Sequence, residues 1–589
     1  MKSITLLMLA VSAAFFSTGY TTRSANAAFE LVSRGVEFAE AVRIARNVTI
    51  AFQIGAVIGA LLLWPLSALF GRKTIYIGGI GVAALGSIIS ISTPNISAFY
   101  ISCGCAGIAI VISLIIGNLW VAENVPARSR GQYVISYNIG GAVGLATCEW
   151  INFAIAWTGS DPRIGIGLRF LFLIPAAVLL YMAPESYRWL LNHNQTEEAR
   201  AILNSLDQNL PSNGSATKET YFDALVHHQQ RATNTPSIFS LRPQAPQGPT
   251  KLHLHPRRRL ILVFAVQTLA ALCGISSANF YITRGLTNAN TSLTLATRVV
   301  ISLVPTLDVI FQIPPYLLIS RFGVRKLLML SALGMAFCFT VATPVASIRA
   351  NSFSRLFFAG TDGQSAGEEN DLNAVIIAFG ILTYVCYDFG LGLVPYILMT
   401  EFTPSLQNPL SGEMDLSTAI PAITTSIRFA IDLGMMFAQA SAVSMGASYL
   451  LVWLLVNLVI VVVVWAIVPE TVGRGLEDMD RYFASNPLWF VGLRDKAARR
   501  VWGVQGTGSA AGRDGERGYV PGSWAGRHQY HNEEDQDEYW HGEARGRTYS
   551  AGANNVEMTS TSQRREQEQQ QEYTGLPKGV AMDVRRSIY

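Results

Sequence analysis

The chain has 589 residues, of which 50% are hydrophobic and only 14% charged, with a formal net charge of +4. Its apolar residues are held in uncharged blocks of roughly 20, the length a membrane-spanning helix requires, and this excludes an ordinary water-soluble globule. The net charge itself decides little, because in such a chain the placement of Lys and Arg matters more than their sum.

The first apolar block, 4–20, runs into "FSTGYTTRSANA" (16–27). Lys2, the apolar core and Ala25/Ala27 fit a cleavable signal peptide, while an uncleaved first helix near the lower length limit fits as well. The uncleaved reading is preferred because it preserves an even, six-and-six division of the apolar blocks. The others lie at 49–69, 75–93, 99–121, 132–156 and 165–183, then at 260–283, 297–320, 326–346, 373–399, 416–444 and 447–468. The reading is therefore an all-α membrane protein of twelve spans. A polar segment, 185–258, separates the two sets of six, and its second half, "TNTPSIFSLRPQAPQGPTKLHLHPRRR", has the composition of a mobile linker. Beyond residue 485 the Gly, Arg, Glu and Gln-rich sequence cannot bury a core. The expected divisions are a first six-helix bundle (1–184), a central loop (185–258), a second bundle (259–485) and a disordered tail (486–589). All six cysteines fall inside apolar runs without CxxC spacing, so they read as packing residues.

Charge placement sets the orientation. "GRK" (71–73), "RSRG" (128–131), "HPRRR" (255–259) and "RFGVRK" (321–326) occupy alternate connections, and the opposite connections are poor in Lys and Arg. The exception is 21–48, with Arg23, Arg34, Arg43 and Arg46 against Glu30, Glu37 and Glu40. The summed bias predicts both termini and the central loop in the cytoplasm. The sequons at Asn47, Asn95 and Asn290 then face outside.

The short polar sequences between spans repeat between the halves. "SALFGRK" (67–73) corresponds to "RFGVRK" (321–326), "AENVPARSRG" (122–131) to "TEFTPSLQ" (400–407), and "APESYRWLL" (183–191) to "VPETVGRGLEDMDRYF" (468–483). With the helix "TEEARAIL" (196–203), these motifs resemble the sugar porter family of the major facilitator superfamily across residues 16–483. The resemblance implies a major facilitator fold and a plasma-membrane carrier, by facilitated diffusion or proton coupling, of a monosaccharide, polyol or cyclic acid. It also implies a monomer in the lipid bilayer with no cofactor, no metal and no nucleic-acid partner. Gly71, Arg72, Lys73, Glu123, Arg130, Glu185, Arg188, Arg325, Glu401, Glu470 and Arg474 lie at the ends of spans on the basic side. Opposite charges among them can pair between helices when an inner gate is shut and part when it opens. Fixing topology is the plainer role for any one of the basic residues.

The chain departs from the family at its functional positions. Where the family has a first-span Asp and a fourth-span Arg that couple transport to protonation, this chain has Thr21 and Cys103. Ala68 and Ser320 replace the acidic residues of the GRK-type loops. Leu145, Ala270, Ala271 and Ser276 replace sugar-binding amides, and Tyr396 replaces a Trp. A cavity that binds hydroxyls needs convergent donors and acceptors, and the candidates left are Glu149, Asn152, Asn279, Tyr281, Asp388 and Tyr396, with Asp308 in the eighth span. An ionisable residue inside a span is a functional-site candidate by default. A structural pairing, with Arg169 or with another helix, is the alternative for Glu149 and Asp388. Asn152 fits a helix–helix hydrogen bond equally well, and Arg428 and Asp432, at i, i+4, suit mutual neutralisation. Uniport is favoured over proton symport because the coupling pair is absent. A non-transporting nutrient sensor, signalling through the tail to cytoplasmic regulators, is the alternative. No nucleophile–base pair, phosphate loop or metal spacing suggests an enzyme; "LHLHP" (252–256) and "GRDGERG" (512–518) read as solvated segments.

Overall fold

A computed structural model of the chain describes residues 3–24, 38–92, 95–206, 221–223, 225–229, 255–276, 295–348, 366–404, 416–445 and 448–485. All of these fall within one compact unit, Met1–Gly522. Asn279, Tyr281, the Asn290 sequon, "GRDGERG" and the tail from residue 486 lie outside the described residues.

The first half comprises α1 (Ser3–Arg23), α2 (Phe38–Leu69), α3 (Arg72–Ser92), α4 (Ile96–Ile112), α5 (Asn118–Asn124), α6 (Arg130–Thr158) and α7 (Arg163–Met182). The backbone between α4 and α5 continues through a wider π-helical turn, Ser113–Gly117, so the two act as one span. Two short helices come next, α8 (Tyr187–Asn192) and α9 (Thr196–Leu206). The second half comprises α10 (Pro256–Ala271), α11 (Leu295–Phe322), α12 (Val324–Ile348), α13 (Ala366–Asp388), α14 (Val394–Phe402), α15 (Leu416–Met445), α16 (Ser448–Ile467) and α17 (Leu476–Ser485).

Among the described residues, ten helices are long and apolar enough to cross a membrane. Helix is the geometry that satisfies every backbone donor and acceptor within one segment, which hydrocarbon demands. The outward faces are apolar as well: Leu171, Ile174 and Val178 line one face of α7 at 62%, 61% and 55% exposure. In water such a stripe would be a liability; in a bilayer it is the surface that lipid covers. At 21 residues α1 is about 31 Å long at a rise of about 1.5 Å per residue, enough to span. Its Leu7, Ala10, Val11 and Ala14 are fully buried in the core of the first half, against α6 and α7.

Two of the twelve expected spans are not continuous helices. The block 260–283 is helical only to Ala271 within α10, and the chain turns at Gly274 (φ +91°), where the Cys273 carbonyl accepts from Asn457 Nδ2 at 2.7 Å. The block 373–399 breaks into α13 and α14. At the break Gly392 N donates to Tyr387 O at 2.8 Å and Leu391 N to Ser331 Oγ at 3.1 Å. Apolar periodicity predicts that such a segment is buried, but it does not register a non-helical turn whose amides find partners on a neighbouring helix.

In the first half α2 packs on α4, α1 on α6 and α7, and α3 on α4 and α7; in the second, α12 packs on α13 and α16, and α10 on α14 and α15. The α2–α4 crossing is tight enough to require glycine: a Cβ on Gly55 would stand 2.8 Å from the Gly104 backbone. The halves meet along two seams, α6 against α11 and α2 against α15. At the end carrying the basic loops, α8, α9 and residues 221–229 share a small core of Tyr187, Leu190, Leu191, Leu203, Phe222 and Leu225.

Candidate functional site between the two halves

At the basic end the repeated motifs build the same device twice. The Glu185 carboxylate, just after α7, accepts from the backbone amides of Lys73 at 3.3 Å and Ser186 at 2.9 Å, capping the start of α3. The Glu470 carboxylate, just after α16, accepts from Val324 N at 2.9 Å and Arg325 N at 3.4 Å, capping the start of α12. A carboxylate at a helix N-terminus meets unpaired amides and the positive end of the helix dipole. Gly71 and Gly323 are needed because a side chain there would run into these carboxylates. Burial pushes the Glu185 carboxyl above its ordinary value, and the two amide contacts pull against that shift. The expectation that Glu185 and Glu470 pair with basic residues of a gate is therefore corrected: each carboxylate is occupied by backbone amides of its own half.

Other residues do close the seam. Arg72 is fully buried, pairs with Glu123 at 3.1 Å within its own half, and reaches across to Ser417 Oγ on α15 at 2.7 Å. Glu123 thus takes Arg72 as its partner, while Arg130 donates to the Ala122 carbonyl at 3.1 Å and, across the seam, to the Arg474 carbonyl at 3.3 Å. Arg474 contributes that carbonyl, and its guanidinium lies over the Tyr482 ring. Glu401 is buried on α14 and acts on Arg130 electrostatically across the seam. Arg325 turns back within its half to the Trp465 carbonyl. Ser67 and Thr418 hydroxyls meet between α2 and α15, and Gln132 reaches the Tyr316 carbonyl at 3.5 Å.

The strongest bridge across the seam is Arg188 of α8 with Glu477 of α17. Burial opposes both charges, yet their mutual attraction outweighs it. Glu477 is held down at about 2 and the Arg188 guanidinium well above its ordinary value. Beside it His228 Nε2 contacts Asp480 Oδ2 at 3.0 Å, and Asp480 pairs with Arg259 at 2.7 Å. Glu477, Asp480 and His228 were absent from the sequence candidates. The available signal was the i, i+3 spacing of Glu477 and Asp480 on an amphipathic helix.

Deeper in the first half the coupling layer has a different chemistry from the family pattern. Thr21 Oγ1 donates to its own helix at Ser17 O, 2.8 Å away, and Cys103 is buried beside Phe99 and Ile166. A cation is nevertheless present: Arg169 of α7 is buried there, donating to the Ser24 and Ser87 hydroxyls. Glu149 pairs with Arg23 of α1 at 3.7 Å, so its partner is on another helix and is not Arg169. Asn152 donates to Cys148 Sγ on its own helix at 3.6 Å, which replaces the expected interhelical bond. Closer to the basic end, Tyr137 donates to the Ser113 carbonyl at 2.7 Å and meets Tyr76 Oη at 2.8 Å. This accounts for the π-helical turn, since that carbonyl is drawn to a side chain.

On the second half Arg428 of α15 donates to Gln267 Oε1 at 2.8 Å and Tyr387 Oη at 2.9 Å, and lies 5.2 Å over the Tyr396 ring. Asp432 acts on it at longer range. Ala270 and Ala271 are packed in the core, and Gln267, one turn earlier, supplies an amide near the positions they vacate. The Asp388 carboxyl ends α13 at the helix break and is hydrogen-bonded to Asp308 and Gln312 of α11. At mid-seam Trp150 Nε1 donates to Thr306 Oγ1 at 2.8 Å and Ser302 Oγ to the Glu149 carbonyl at 3.2 Å. A groove of about 450 Å³ between α6 and α11, lined by Val143, Thr147, Trp150 and Ile310, lies on the outer, apolar side of this seam.

Residues 3–483 match the sequence model of the family described as "Sugar (and other) transporter". Curated relatives include an MFS-type transporter, oryC, of Aspergillus oryzae, 24% identical over 77% of this chain and 79% of its own. A probable glucose transporter, rco-3, of Neurospora crassa is 25% identical over 73% and 68%. A probable quinate permease of Aspergillus clavatus is 25% identical over 83% and 87%. Among solved structures, the proton:xylose symporter XylE bound to 6-bromo-6-deoxy-D-glucose superposes with a TM-score of 0.64 at 16% identity, covering 81% of this chain and 98% of its own.

Proposed function

The chain belongs to the sugar porter family of the major facilitator superfamily, and on that premise we propose that it carries a small polar organic solute across the membrane by uniport. The observation that carries this reading is the pair of matching bundles whose basic ends are bridged by separable contacts. Arg72–Ser417, Arg130–Arg474 and Arg188–Glu477 all cross the seam, whereas the Glu185 and Glu470 caps stay within one half. Rocking one half against the other breaks the first set and leaves the second intact, which is the requirement for alternating access. The capping residues Gly71, Lys73, Glu185, Arg325 and Glu470 keep each half rigid, and Arg72, Glu123, Arg130, Arg188, Glu401 and Arg474 form the gate.

The coupling mode is read from the first-half layer. Proton coupling needs a group whose charge changes during the cycle, and Thr21, Cys103 and Arg169 offer none near neutral pH. The solute-facing residues are Glu149, Asn152, Asp388 and Tyr396, with Asn279 and Tyr281 contributed by the seventh span. The basic end is cytoplasmic by the distribution of Lys and Arg, the protein acts as a monomer, and the plasma membrane is its location.

The test is uptake of labelled hexoses, hexitols and cyclic hydroxy acids into proteoliposomes, with and without a protonophore. Saturable uptake that the protonophore leaves unchanged is expected. Uptake abolished by the protonophore would overturn uniport, and solute binding with no uptake would favour a sensor.

A further inference from the structure

Acceptors and donors are unequally satisfied in the layer between the halves. Arg23 faces Glu149, Arg169 is taken up by Ser24 and Ser87, and Arg428 by Gln267, Tyr387 and the Tyr396 ring. The acceptors of α11 and α13 are left short. Asp388 and Gln312 are 6% and 8% exposed, and Asp388 Oδ2 and Gln312 Oε1 have no hydrogen-bond partner. A hydrogen bond between the Asp308 and Asp388 carboxyls needs one proton between them, so the pair already uses the only donor it owns. The Gln312 amide donates to Asp388, which leaves its oxygen unmatched. Asp388 also sits at the C-terminal end of α13, where helix carbonyls lose their partners, and Gly392 leaves its carboxylate room: a Cβ there would stand 3.0 Å from Oδ1. Buried acceptors without donors are costly. They persist where a ligand completes them.

We propose that Asp308, Asp388 and Gln312 form the solute's specificity site, one that takes an uncharged polyhydroxylated group through its hydroxyl donors and rejects a carboxylate. This rests on the transport reading above and narrows it. Two or three hydroxyls directed at Asp388 Oδ2, Gln312 Oε1 and Asp308 would satisfy every open acceptor without changing the charge of the pair. A cyclic hydroxy acid would bring a further negative charge against these carboxyls, with Arg23 and Arg428 already engaged.

The experiment measures binding and exchange separately. Binding of a neutral hexitol, a hexose and quinate to the purified full-length protein is followed in detergent, and counterflow of the same three in proteoliposomes. Wild type is expected to bind and exchange a neutral polyol and not quinate. Asp388→Asn and Gln312→Leu are each expected to weaken polyol binding about 10- to 100-fold, the loss of one hydrogen bond to a charged or buried acceptor. Asp308→Asn, which retains a donor for Asp388, is expected to weaken it less. Thermal unfolding of each variant separates a lost site from a lost fold. Preferential binding of quinate by wild type, or unchanged polyol affinity in both Asp388→Asn and Gln312→Leu, would overturn the proposal. So would a sodium or pH dependence of binding that vanishes in Asp388→Asn, which would make the site one for a coupling ion. Polyol binding without exchange would leave the site standing and remove the transport reading.

Discussion

Arg188→Gln is expected to open the basic end. In the closed state Arg188 and Glu477 are 2% and 16% exposed and in direct contact. Burial alone would raise the Glu477 carboxyl, yet Arg188 brings it from the ordinary 4.5 to about 2. At about 1.4 kcal/mol per pH unit, that displacement corresponds to about 3 kcal/mol of preference for the charged, paired form. Removing Arg188 leaves a buried carboxylate uncompensated, a change in the range of about 3–5 kcal/mol for a broken buried pair. If Glu477 reaches water when the halves part, the population shifts toward the open state by roughly 100-fold. The assay is alkylation of a Thr418→Cys probe at the seam by a membrane-impermeant maleimide applied from the basic side. Labelling should be slow in the parent and fast after Arg188→Gln, and the double change with Glu477→Gln should recover part of the protection. Because Glu477 lies below its ordinary value, its contribution is complete above about 4.5 and is lost only as pH falls toward about 2, so labelling should not vary between pH 6 and 8. Equal labelling in the parent and the Arg188 variant would mean that this pair does not hold the end shut.

Arg72→Gln should destabilise the first half itself by about 3–5 kcal/mol, since it strands the fully buried Glu123, and thermal unfolding in detergent should show this as a lower midpoint. Gly323→Ala should cost about 1–3 kcal/mol, because φ there is +83° and the new methyl meets the Glu470 carboxylate. Gly71→Ala should lower stability through the carboxylate clash alone, and by less. Tyr137→Phe frees the Ser113 carbonyl, and the π-helical turn should relax, read as faster amide exchange across Ser113–Gly117.

The spans were legible because hydrocarbon imposes a length and a composition on a chain, and the motifs were legible because they are short polar islands between such blocks. Their partners were not. Sequence places Glu185, Glu470, Arg188 and Arg474 at one end of the molecule, but which acid meets an amide and which meets a guanidinium depends on distances between helices remote in sequence. The same limit hid Glu477 and His228, which lie on opposite sides of the seam from what they touch. The break at 389–393 escaped because hydropathy reports burial and not backbone geometry. Losing Thr21 and Cys103 as a coupling pair was readable position by position. That Arg169 fills the same layer from α7 was not, since no spacing along the chain links α7 to Ser24 or Ser87.

Whether the two halves alternate access for a solute is tested most directly by counterflow. Proteoliposomes holding the full-length protein are preloaded with unlabelled solute and diluted into a trace of label, with a protonophore present throughout. Alternating access by uniport predicts a transient accumulation of label above equilibrium that saturates with internal solute. Specific binding of the label with no accumulation would contradict it.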